Sequence, residues 1–137
     1  MPRALVISAC AVLALATGAR ADASDWSRVA DVEEVEAVTT DADGSVRETT
    51  VWLAVLDGNA YLRTSGGSTW GDNLERDPDL VVRIDGSEHR VHAVFIEDDE
   101  LRGRVIETFR AKYGWSDGLV DVFRGSRPRI MRLDPQD

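Results

Sequence analysis

The chain has 137 residues, of which 16 are basic and 25 acidic, for a formal net charge of −9. A balance this acidic argues against nucleic acid and anionic lipid surfaces as partners, since both are polyanions. The sole cysteine, Cys10, lies in the N-terminal apolar run, so the remainder of the chain has no disulfide, no thiol nucleophile and no cysteine metal ligand.

Met1-Pro2-Arg3 supplies a positive start, Ala4 to Ala16 is apolar, and small residues follow, an arrangement that predicts a secretory signal peptide over residues 1–21. Two overlapping A-x-A sites place cleavage after Ala21 or Ala23. The apolar run falls short of the ~20 residues that a membrane span needs. Ile7-Ser8-Ala9-Cys10 is similar to a lipid-attachment motif, but Cys10 sits inside the apolar run rather than after it, which argues against a lipid anchor. The expected product is therefore exported, periplasmic or secreted, with no stable membrane span. Removing the leader with Arg3 and Arg20 leaves 14 basic against 25 acidic residues, a formal charge of −11 on a single domain over 22–137.

Within that domain, Val32 to Thr40 reads as a strand and Asp43-Gly44 as a turn. The next strand spans Thr49 to Leu56, where Val51 to Leu56 is apolar at every position and so predicts cover on both faces, with Trp52 in the core. After Asp57-Gly58, the strand Ala60 to Thr64 places Tyr61 and Arg63 on one face and Ala60, Leu62 and Thr64 on the other. A Gly66-Gly67 loop follows, and Thr69 is a candidate cap of a short helix, with Asp72 at the capping-box position and Pro78 as its stop.

Leu80 to Ile84 and Arg90 to Ile96 make two further strands about Asp85-Gly86. Asp98 caps a predicted helix whose first turn is acidic and whose last turn carries Arg110 and Lys112, both in keeping with the helix dipole. Leu101, Val105, Phe109 and Tyr113 form its apolar face, and Gly114 ends it. Ser116 begins a second short helix through Phe123, and Arg129 to Leu133 is the last strand. Six strands with few helices predict a mainly β fold, a small antiparallel barrel.

Val51 to Pro78 carries the chemistry: a strand, a turn, a strand ending in Arg-Thr, a loop of glycines and serines, then a helix start. Backbone amides and hydroxyls before a helix favour a bound phosphate or carboxylate. The run TVWLAVLDG, the Arg63-Thr64 strand end and the Asn-Leu-x-Arg-x-Pro stretch, with the closing RPRIMRLDP, resemble the split-barrel superfamily of flavin- and deazaflavin-binding oxidoreductases. Pyridoxamine-phosphate oxidase and the deazaflavin-dependent nitroreductases typify that group. The likeness follows element order over most of the domain, and only Val51 to Pro78 carries it residue by residue.

The resemblance implies a six-stranded antiparallel split β-barrel, a homodimer, and a site for the phosphate of FMN or a deazaflavin. Carried over, it implicates Arg63, Thr64, Ser65, Ser68, Asn73 and Arg76, with Trp70 standing where many relatives have a lysine or arginine. An arginine supplies charge and bidentate geometry to a phosphate. The loss of the cation at position 70, with Asp72 and Glu75 nearby, works against it. Trp70 is open to two uses, stacking on a flat ligand or plugging the barrel mouth. Arg63 likewise reads either as a ligand contact or as a strand residue paired with an acid.

His89 and His92 lie three apart on a strand and so point to opposite faces, which argues against a metal site from that pair. No P-loop or G-x-S-x-G is present. Three functions follow: a two-electron oxidoreductase built on a flavin-type cofactor, with no catalytic acid or base identified; a cofactor-free binding or structural module of the cell envelope; and a haem-binding barrel.

Overall fold

The computed structural model describes residues 26–64, 67–114 and 128–136. A short 3-10 turn at Ser27–Val29 leads into strands β1 (Glu34–Thr40), β2 (Val46–Leu56) and β3 (Asn59–Thr64), then helix α1 (Thr69–Arg76). Strands β4 (Asp79–Ile84) and β5 (Ser87–Phe95), helix α2 (Asp99–Tyr113) and strand β6 (Arg129–Pro135) complete the chain. The six strands close into an antiparallel barrel in the order β1-β2-β3-β6-β5-β4, as the sequence pattern and the resemblance both imply. The helix expected over Ser116 to Phe123 lies outside the described residues.

Two hairpins turn on Asp-Gly pairs with positive φ at both residues: Asp57 at 53° with Gly58 at 80°, and Asp85 at 48° with Gly86 at 85°. That conformation matches the twist of the strands it joins, and Asp and Gly tolerate it. Its tightness explains why β5 begins at Ser87 rather than Arg90, because Ile84 pairs with Ser87 across a two-residue turn. β2 likewise starts at Val46, paired with Thr40, and β6 runs on to Pro135, paired with Val91. Val32 is not part of β1. The carbonyls of Val32 and Glu33 accept from Lys112 Nζ and the Tyr113 hydroxyl, so side chains of α2 take the place of a strand partner.

Alternation sorts the side chains into two cores. Ala37, Leu53, Leu62, Val82, Val91 and Met131 fill the barrel, with Trp26 and, from α1, Trp70 and Leu74 joining the same cluster. On the outer face, Val105 and Phe109 of α2 cover Ala54, Tyr61 and Ile130, flanked by Leu101 and Tyr113. The apolar run in β2 is thus covered on both sides. Trp52 faces outward, half-buried, its ring stacked on Tyr113 at 4.1 Å between centroids. The cap of α2 is Asp98, whose carboxylate accepts from Leu101 N at 2.8 Å, and Gly114 ends the helix at φ 75°.

The cap of α1 differs from the expected one. Ser68, in extended conformation, accepts from Gly71 N at 3.3 Å, and Thr69 is already helical. No capping box closes on Thr69, because the Asp72 carboxylate turns to Arg129.

Candidate functional site

Arg63 is the penultimate residue of β3, and strand alternation sends it outward beside α2. Its guanidinium carbon lies 5.6 Å from the Phe109 ring centre and 6.0 Å from that of Trp52. Two aromatic faces near a cation are attractive, but they leave its hydrogen-bond donors unmet. Arg63 Nη1 is buried with no hydrogen-bond partner, and burial pulls the Arg63 pKa below its ordinary value. No ion pair to Arg63 is present among the described residues. The same side chain lines a cavity of about 290 Å³ with Thr64, Trp70, Trp52, Val51, Thr50 and Glu34.

Three of the residues nominated from sequence therefore meet at this cavity: Arg63, Thr64 and Trp70. Trp70 also belongs to the barrel core at 7% exposure, so it forms a wall of the cavity and closes the barrel at once. Ser68 caps α1 just beyond. Ser65 lies outside the described residues.

Asn73 and Arg76 are drawn elsewhere. Asn73 Nδ2 donates to Thr39 Oγ1 at 3.0 Å and to Asp41 Oδ1 at 2.8 Å, while its Oδ1 accepts from Arg76 at 2.9 Å. Arg76 also donates to the Thr40 carbonyl at 2.8 Å. Arg47 completes the set with a bond to Asp41 at 2.7 Å. Bonds from Arg47 and then Asn73 hold the Asp41 carboxyl below its ordinary pKa. This network ties α1 to the end of β1.

Sequence reasoning missed Arg129. It opens β6 opposite Thr64, and its guanidinium reaches Thr64 Oγ1 at 3.3 Å, the Ser68 carbonyl at 3.2 Å, Asp72 at 2.9 Å, and Glu75. The two acids that weigh against a phosphate in the sequence are thus engaged by a cation from a distant strand. The RPRIMRLDP segment marks the strand, but only the β3–β6 register shows which arginine faces α1.

Tyr61 is buried under α2 and is absent from the cavity wall. His89 packs on Trp26 with ring centres 5.6 Å apart, and His92 Nδ1 lies 2.8 Å from Asp79 on the other face of β5. Among the described residues no group of three or more His, Cys, Asp or Glu side chains is placed to hold a metal ion, and no helix is long and apolar enough to cross a membrane.

The bacterial family described as "Uncharacterized protein conserved in bacteria (DUF2255)" matches residues 25–132. No curated protein matches the chain. Solved structures do. The conserved hypothetical protein Rv2991 from Mycobacterium tuberculosis aligns at 22% identity and TM-score 0.66, covering 100% of this chain and 86% of that one. HutZ, the heme storage protein from Vibrio cholerae, aligns at 17% identity and TM-score 0.63, covering 77% and 82%. An F420-H2 dependent reductase, FDR-A, aligns at 16% identity and TM-score 0.61, covering 75% and 95%. At these identities the likeness is one of fold, and the fold is the split barrel.

Proposed function

The chain belongs to the DUF2255 family and folds as a split barrel; on that premise we propose that it binds a phosphate-bearing flavin-type cofactor, FMN or a deazaflavin, in the Arg63 cavity and supports a two-electron oxidoreductase reaction. The observation that carries this reading is Arg63. A buried guanidinium nitrogen without an acceptor costs stability that an incoming oxyanion returns, since hydrogen bonds to charged groups are worth ~1.5–3 kcal/mol. A phosphate offers that acceptor and the charge. Trp52 and Trp70 add aromatic wall area suited to a flat ring system.

The residues present fit the group in kind: Arg63 and Thr64 to hold an anion, and Trp70 to exclude water from the barrel side. When bound, such a cofactor supplies the hydride chemistry, and the protein binds and orients it. No residue of the cavity stands out as a proton donor. The fold relatives support the reading through FDR-A, named as an F420-H2 dependent reductase. HutZ, named as a heme storage protein, raises haem as the competing ligand. Against haem, neither His89 nor His92 lines the cavity. A cofactor-free envelope module is the remaining alternative. We further propose that the leader exports the protein and that it acts as a homodimer.

The test is a visible spectrum of the domain over 22–137 purified from its native host, then titration of the stripped protein with FMN, a deazaflavin and haem. Binding of a flavin type, weakened about tenfold or more by Arg63→Met, is the expected result. Failure of both flavin types to bind at about tens of micromolar, a weak affinity on the scale of, overturns the reading. Binding of haem alone replaces it with the competing one.

A further inference from the structure

Glu34 and Thr50, which line the Arg63 cavity, also line a second cavity of about 410 Å³ on the outer face of β1, β2 and β4, so the two adjoin. The strand register orders the charges along this groove. Glu34 pairs with Trp52, and the Arg63 guanidinium lies over the Trp52 ring, which puts a carboxylate and a cation two strand spacings apart, ~10 Å between backbones. One row further on, Glu36 pairs with Thr50 on one side and Arg83 on the other. Asp85, on its Asp-Gly turn, adds a third carboxylate to the wall of the second cavity. Arg83 is the cation of that cavity, and it is already matched by Glu48 at 2.9 Å, Glu88 at 2.9 Å and Glu36 at 3.4 Å. Glu34 and Asp85 have no ion pair among the described residues. The groove thus runs from one open cationic donor into a stretch of net negative charge.

We propose that Glu34 is a specificity-determining residue, and that the site takes a flavin-type ligand whose negative charge ends at its phosphate while disfavouring one whose phosphate carries a further chain of carboxylates. The step rests on the reading given above for the Arg63 cavity. With an oxyanion on Arg63, the parts of the ligand that enter the shared wall meet Glu34 and Thr50. An ionised carboxylate accepts from hydroxyl and amide donors and has no proton to offer another carboxylate. Like charges along the groove repel as well. FMN satisfies both conditions, because its polyol supplies donors and its charge is confined to one terminal phosphate. A deazaflavin of the F420 type, a phosphodiester extended by glutamyl carboxylates, satisfies neither. Of the two cofactor classes left open by Arg63 alone, the acidic wall selects the first.

The experiment titrates FMN, the deazaflavin ring as its simple 5′-phosphate, and F420 into wild type, Glu34→Gln and the double variant Glu34→Gln, Asp85→Asn, each at low and high salt. The two deazaflavins share one ring and differ only beyond the phosphate, so their affinity ratio reads the groove. Both substituted side chains are exposed, and asparagine tolerates the positive φ at position 85, so the variants should fold. The expected result is a wild-type preference of about tenfold for the simple phosphate over F420 at low salt, reduced in Glu34→Gln, reduced further in the double variant, and reduced by salt. F420 binding as tightly as the simple phosphate in wild type overturns the proposal, and so does a preference that the variants leave intact. In either case binding of the simple phosphates leaves the cavity reading standing. If no phosphate-bearing flavin type binds at all, the cavity reading fails and the proposal with it.

Discussion

At the C-terminal end of α1, Asn73 and Arg76 turn their donors to Thr39, Asp41 and the Thr40 carbonyl, whereas at the mouth beside its N-terminal end Arg63 keeps a buried Nη1 with no acceptor. Both regions hold arginines and carboxylates within one small barrel. They differ in closure. A closed network is most stable as it stands, and a ligand could enter it only by breaking bonds. Among the described residues Arg63 Nη1 is the one buried side-chain nitrogen or oxygen without a partner, a stability cost that sits against a cavity. Of the residues nominated for one phosphate site, the structure thus separates a set that lines a cavity from a set that holds the helix in place.

The largest effect should come from the wall between the two regions. Trp70→Ala removes a ring at 7% exposure from the barrel core, and a loss of ~3–5 kcal/mol is expected in chemical denaturation. Trp70→Lys should be destabilising as well, because an ammonium would replace buried ring surface; a lysine variant as stable as wild type would show that the wall is only a lid. Next comes Asn73→Ala, which leaves Thr39 and Arg76 without a partner they now share. A loss of ~1–3 kcal/mol is expected, with FMN affinity unchanged. A weakened FMN affinity at unchanged stability would move Asn73 back to the site.

How far the sequence revealed this division follows from what each residue's signal depends on. The barrel was legible because period-two alternation and Asp-Gly turns are local: Asp57-Gly58 and Asp85-Gly86 adopt the positive φ that their composition calls for. The Arg-Thr strand end was legible through resemblance. The fate of Asn73 was not, since its partners Thr39 and Asp41 lie more than thirty residues away and meet it only once β1 and α1 pack. Arg129 was hidden for the same reason, 65 positions from Thr64. Val32 shows the converse error. Its strand-like sequence was overridden by the Lys112 side chain, which takes its carbonyl.

Arg63→Met should break the comparison in the opposite sense from Asn73→Ala. It removes the orphan nitrogen and puts a flexible apolar chain against Trp52 and Phe109. Stability should stay within ~1 kcal/mol of wild type or rise, since deleting an unsatisfied buried donor offsets the lost cation–π attraction. A loss as large as that of Asn73→Ala would show that Arg63 is bound into the structure after all, and the contrast between the two ends of α1 would disappear.

The smallest effect is one of pH, and it belongs to the closed end alone. Hydrogen bonds from Arg47 and Asn73 hold the Asp41 pKa below its ordinary 3.8. A carboxylate whose folded pKa is depressed contributes stability that is fully present above the unfolded value and is lost as pH falls through the folded one. The gap in melting temperature between wild type and Asp41→Asn should therefore be constant near neutrality and shrink below about pH 4, and added salt should reduce it because its partner Arg47 is exposed. Arg63 does not titrate in that range. The corresponding gap for Arg63→Met should hold steady across the same acid window, so parallel narrowing in both variants would mean that the two ends of α1 share one electrostatic network.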